Sequence, residues 1–225
     1  MAKLSVLLAL VLVLIRSAAA LAGSEEAMER NDAGVKLLQE GKVDAAIEEF
    51  RKSVGLDSQL LAARLNLAYT YERAGKIPEA IGEYRAAIDA QPENFYAHNN
   101  LGVLLDKKGL YDEAIAEFQS ALSIEPGNST ALKNLDNARK SRAIVKEREG
   151  QIASAEKQAQ AQPQDPRAAY QVARLHAFYG NKELALQWLG KAVRQGYKDL
   201  ADVKVDPAFQ SIREEREFGL LLQRK

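Results

Sequence analysis

Along residues 27–128 the apolar positions recur at helical spacing, and the whole pattern then repeats every 34 residues. Leu101, Leu104 and Leu105 make one apolar stripe, and Ala114, Ile115, Phe118, Ala121 and Leu122 make the next, so each half of a 34-residue unit predicts an amphipathic helix. Four kinds of position keep one register: Gly34, Ala68 and Gly102; Ala46, Ala80 and Ala114; Phe50, Tyr84 and Phe118; Ser53, Ala87 and Ala121. Gly41, Gly75 and Gly109 fall at the midpoints among polar neighbours, where a left-handed glycine ends the first helix, and Pro92 and Pro126 close two of the units. The period predicts three tandem helical hairpins at 27–60, 61–94 and 95–128, none of which can bury its apolar face alone.

This pattern of small residues, helix-B alanines, one aromatic and a late proline resembles the tetratricopeptide repeat family. The resemblance implies an all-α fold, a right-handed solenoid of helical hairpins with a C-terminal capping segment. Its concave inner wall is built mainly from the first helix of each unit. Gly102 and Ala114 would let the two helices of a hairpin approach, while Phe118 would fill the wider gap toward the next hairpin. The sixth position of successive units holds Asp32, Asn66, Asn100 and Asn134. By family geometry Leu65, Tyr69, Tyr96, Asn99 and Val103 lie beside them on the inner wall. Such amides have two readings: they hydrogen-bond the backbone of an extended peptide, or they hold neighbouring hairpins in register. Family members that clamp a chaperone's terminal carboxylate place lysine and arginine at inner positions that here carry Asn31, Val35, Tyr96 and Asn100. Only Asn66 fits that set, which argues against a tail clamp.

From 129 the register degrades. Ala131, Leu132, Asn134 and Leu135 continue a first helix, but Asp136 replaces the small residue and Arg148 stands where a helix-B alanine belongs. No Gly or Pro interrupts 129–149, which predicts a charged helix of about 30 residues, roughly 45 Å long, inside a connector at 129–165, with Gly150 able to bend it. Arg142 and Glu149 interrupt its apolar heptads, favouring a solvated connector over a coiled-coil dimerisation helix. A fourth hairpin is predicted at 166–199, with Ala173, Gly180, Ala185 and Ala192 in the small positions, within a final domain 166–225. The remainder resembles the closing segment of many bacterial tetratricopeptide proteins: Asp206 caps a helix opened by Pro207, and Phe209, Ile212, Phe218 and Leu221 cover the last repeat.

The first 22 residues predict a secretory signal peptide: Lys3, the apolar run Leu4 to Ile15, and Ala20-Leu21-Ala22 before Gly23. Its alternative is an uncleaved membrane anchor, although Arg16 interrupts a run that needs about 20 residues to span. Cleavage removes Lys3 and Arg16 from 31 basic side chains, leaving 29 against 31 acidic and a net charge of −2. That balance, with acids and bases alternating as in Lys146-Glu147-Arg148-Glu149, argues against a nucleic-acid partner. There is no cysteine, hence no disulfide or lipid attachment site, and an exported helical chain of this kind points to the bacterial periplasm or the cell exterior. Catalytic, metal and cofactor motifs are lacking; His98 and His176 have no nucleophile constellation around them, and Glu48 and Glu49 are expected to face solvent. The expectation is a non-enzymatic scaffold that binds a protein or peptide through Asn66, Tyr69, Tyr96, Asn99, Asn100, Val103 and Asn134, without membrane insertion once the signal is cleaved. Two alternatives stand beside it: an accessory subunit of an envelope peptidase or glycan-processing system, or a structural protein self-associating through 129–161.

Overall fold

The helices of the computed structural model, which describes residues 22–223, begin with α1 at 22–39 and α2 at Val43–Leu56. The expected export segment and its anchor alternative, residues 1–22, lie outside the described residues apart from Ala22. Further along come α3 (Leu61–Arg73), α4 (Ile77–Ala90), α5 (Phe95–Lys107), α6 (Tyr111–Ile124) and the 33-residue α7 (Ser129–Ala161). They are followed by α8 (Pro166–Phe178), α9 (Lys182–Arg194), α10 (Leu200–Val205), a 3-10 turn at Pro207–Ile212 and α11 (Arg216–Leu221). No strand occurs among the described residues. The chain divides into two compact units, one ending at Lys140 and one beginning at Ser141.

In the N-terminal unit α1/α2, α3/α4 and α5/α6 are hairpins. Gly41, Gly75 and Gly109 take φ of +78°, +73° and +76° at their turns, a conformation that costs a side-chain-bearing residue about 1 kcal/mol or more. Starts are fixed locally too. The Asn94 side chain accepts from the Ala97 amide at 2.8 Å, and Asn128 accepts from Thr130 and Ala131, capping α5 and α7.

Inside each hairpin the aromatic of the second helix lies across the small residue of the first. A Cβ added to Gly34 would stand 2.6 Å from the Phe50 ring, and one added to Gly102 would stand 2.6 Å from Phe118. Ala68 takes the same place opposite Tyr84. Phe118 therefore seats first against its own hairpin, where the pattern alone had it filling the gap to the next. It also joins Leu101, Leu104, Leu105, Leu135 and Ala138 in a core that runs from α3 to the start of α7.

A polar pair repeats with the core. Arg30 donates to Glu49 at 3.3 Å, Arg64 to Glu83 at 3.0 Å, and the His98 Nδ1 meets Glu117 at 2.6 Å. Each pair joins the first helix of a hairpin to the second at one register position. Glu49 is thus not a solvent-facing charge: it is mostly covered, and Lys52 first and then Arg30 hold its carboxyl below the usual range against the opposing effect of burial. His98 is buried, with its other ring nitrogen on the Pro92 carbonyl at 2.9 Å, and belongs to this series.

The C-terminal unit packs α8 against α9, with Gly180 turning at φ +81°. Ala159 of α7 packs with Ala168 and Val172 of α8, and α7 continues as helix through Gly150. Val203, Phe209, Ile212, Phe218 and Leu221 bury themselves on the α8/α9 pair, the cover that an end repeat requires. Asp206 fastens this cover. Its carboxylate accepts from the Ala208 amide (2.9 Å), the Tyr170 hydroxyl (2.7 Å) and Arg174 Nε (2.9 Å). Burial alone would raise its pKa, but those three donors together hold it below the ordinary value. Burial and the bond to Asp206 push Tyr170 well up.

Replacing Gly102 by leucine forces a side chain into the Phe118 ring, and the expected loss is about 3 kcal/mol, read as a lower urea midpoint at unchanged m-value. An unchanged midpoint would mean that the ring has free room beside it.

Candidate functional site

Helical spacing puts Leu65, Asn66 and Tyr69 together on α3, and Tyr96, Asn99, Asn100 and Val103 together on α5. Packing decides which of these a ligand can reach. Tyr69 is 47% exposed and Tyr96 64%, and neither hydroxyl bonds another described residue. The Tyr96 ring is held edge-on by Phe95, with centroids 5.5 Å apart. Val103 is half-buried against the core, as is Leu65.

The amides are differently employed. Asn66 Nδ2 donates to Asn31 Oδ1 at 2.8 Å, and Asn134 Nδ2 donates to Asn99 Oδ1 at 3.2 Å. In both pairs a sixth-position amide reaches back 35 residues to the fifth-position amide of the preceding first helix. The same reach joins Lys107 to Glu72 at 2.8 Å. Between α3 and α5 the fifth position is Leu65, which has no acceptor, so Asn100 turns to the Tyr84 hydroxyl at 3.4 Å and accepts from Asn99 at 3.2 Å. Tyr84 itself is pushed up to about 12, by burial first and then by the Glu72 carboxylate. Asn99 is buried.

Of the seven residues picked from the pattern, then, Tyr69 and Tyr96 stand open, Asn66 keeps one N–H and its carbonyl beyond the bond to Asn31, and Asn99, Asn100 and Asn134 are joined in one network between helices. The pattern missed one further group on this face. Asp106 follows Val103 by three positions on α5, and its Oδ1 is buried with no hydrogen-bond partner among the described residues. The fifth-position pairing had a sequence signal in Asn31 and Asn99, which are two periods apart; Asp106 had none, because its lack of a donor is a property of packing.

Residues 65–129 match the family model for the tetratricopeptide repeat. Among solved structures, the first repeat domain of Spaghetti (RPAP3) bound to the HSP90 peptide SRMEEVD aligns at 24% identity and a TM-score of 0.52, covering 53% of this chain and 95% of that one. The second repeat domain of human RPAP3, in complex with the HSP70 peptide SGPTIEEVD, aligns at 26% and 0.50, covering 52% and 98%. MamA aligns over a longer span, at 21% and 0.51, covering 81% of this chain and 96% of its own. No curated protein sequence matches. The hairpins, the 34-residue register and these likenesses together show a tetratricopeptide-repeat fold, with the family's model matched over residues 65–129.

Asn99→Ala and Asn134→Ala are each expected to cost about 1–2 kcal/mol, and the double substitution less than their sum, because either one already breaks the shared bond. A denaturation cycle measures this; strict additivity would show that the two amides do not meet.

Proposed function

We propose that this protein is a non-enzymatic scaffold that holds an extended segment of a partner protein across the α3/α5 face. The observation that carries the proposal is the pair Tyr69 and Tyr96: two large rings in solvent with unbonded hydroxyls, on a face whose other polar groups are mostly fixed. Beside them the spare half of the Asn66 amide offers a donor and an acceptor to a peptide backbone. The RPAP3 domains, which share the fold, are seen with bound peptides. Those peptides end in Glu-Glu-Val-Asp, whereas the inner positions that would clamp such a tail carry Asn31, Val35, Tyr96 and Asn100 here, so the partner segment is one other than an acidic tail, with apolar side chains against the two rings.

Nothing on this face supplies a nucleophile beside a base, and both histidines are buried against glutamates, His176 with Glu156 at 3.2 Å. Among the described residues no group of three or more His, Cys, Asp or Glu side chains could hold a metal, and no helix is long and apolar enough to cross a membrane. The leader-like residues 1–22 support export and a role in assembling an envelope complex, with any chemistry supplied by the partners. Amino-terminal sequencing of the native protein should begin at Gly23, and residues 1–22 recovered intact in the membrane fraction would establish an anchor instead.

The double variant Tyr69→Ala/Tyr96→Ala is expected to melt within about 0.5 kcal/mol of wild type, since both side chains are largely in water, while losing partners that copurify with wild type from the envelope fraction. Full retention by the folded variant would move binding off this face.

A further inference from the structure

The C-terminal unit carries a second concavity that the repeat face does not involve. It is a cavity of about 210 Å³ whose apolar lining is Leu175, Phe178 and Ala208. Phe178 is 70% exposed, set edge-on against Tyr179 with centroids 5.0 Å apart. A phenylalanine left this open next to a cavity is an incomplete contact.

The polar lining is one-sided in charge. Arg174 spends its Nε on Asp206 at 2.9 Å, and its two terminal nitrogens make no other bond to a described residue, with half of the side chain in solvent. Gln171 beside it is exposed and equally uncommitted. Above Tyr179 lies a second guanidinium, Arg148, 5.7 Å from the ring centroid. No carboxylate lines the cavity: Asp206 is taken up by Ala208, Tyr170 and Arg174, and the Gln151 carbonyl by the Tyr179 hydroxyl at 2.6 Å. Unspent N–H donors of Arg174 and Gln171 thus border an apolar hole, with the Arg148 guanidinium over the neighbouring Tyr179, and the complement of that arrangement is an apolar group with an anion attached.

The volume sets the size of the occupant. Small-molecule sites usually run from about 300 to 1,000 Å³, so this cavity is short of a metabolite and suits one side chain. We infer that this cavity is an anchor pocket for a partner protein's segment in which a bulky apolar side chain stands directly beside a carboxylate, the side chain lying against Phe178 and the carboxylate on Arg174. The pocket belongs wholly to the C-terminal unit and does not depend on the reading of Tyr69 and Tyr96.

The probe is N-acetyl-phenylalanine, which carries a ring and a carboxylate on adjacent carbons, titrated into the whole protein and followed by ¹⁵N–¹H NMR against its uncharged amide. The expected result is saturable shifts centred on Gln171, Phe178 and Tyr179, with the amide about 1.5-fold to fivefold weaker, the range of one exposed ion pair. Arg174→Gln should abolish the preference for the acid. Because Arg174 also braces Asp206, Phe178→Ser serves as the second variant: its side chain is mostly in solvent, so the fold should survive while the shifts disappear. Absence of saturable shifts in the wild type, shifts that persist in Phe178→Ser, or equal affinity for acid and amide would each overturn the assignment.

Discussion

The repeat region depends on one contact: an aromatic ring of the second helix lying on a residue of the first helix that has little or no side chain. At Gly34 and Gly102 even a methyl group would meet the ring at 2.6 Å. The contact sets how close the two helices come, and closeness in turn lets Leu101, Leu104 and Leu105 reach the neighbouring hairpin and disappear from solvent. Tyr84 uses the same place with a hydroxyl added, and that hydroxyl is what Asn100 finds where Leu65 offers no acceptor. A substitution that looks conservative in the repeat pattern has thereby rewired a polar connection one repeat away.

Stacking fixed in this way brings successive first helices close enough for side chains 35 residues apart to bond. Asn31 with Asn66, Glu72 with Lys107, and Asn99 with Asn134 are three such connections along one face. A bond of this kind contributes about 1 kcal/mol, little beside the buried apolar surface, but it can be made in only one register. The same bonds remove most of the amides from the choices open to a ligand. What remains outward is aromatic, and the energetics of protein interfaces favour tyrosine for this use: large contact area, few rotors to freeze, and a hydroxyl that tolerates water.

Most of the helical architecture was visible in the amino-acid pattern because the period was kept by several kinds of residue at once, and mid-unit glycines and late prolines marked the ends. The N-cap at Asp206 was visible for the same local reason. Long-range side-chain geometry was not. Glu49 and His98 looked like a surface acid and an isolated histidine, yet each is half of a hairpin-spanning pair that only the fold brings together. The amide ladder was visible as a column; which amide bonds which depends on the axial offset between neighbouring helices, a quantity that no single helix encodes. The open cavity beside Phe178 left no mark in the pattern, since its walls come from α7, α8 and the 3-10 turn.

Whether a partner lies on the exposed rings of α3 and α5 is tested most directly by site-specific photocrosslinking. Benzoylphenylalanine placed in turn at Tyr69, at Tyr96 and at Leu56, an exposed position at the end of the second helix of the first hairpin, reports which surface the partner touches. Positions 69 and 96 are expected to crosslink to the same protein, and position 56 is expected to give no crosslink. Crosslinking from position 56 alone, with 69 and 96 silent, would contradict that placement.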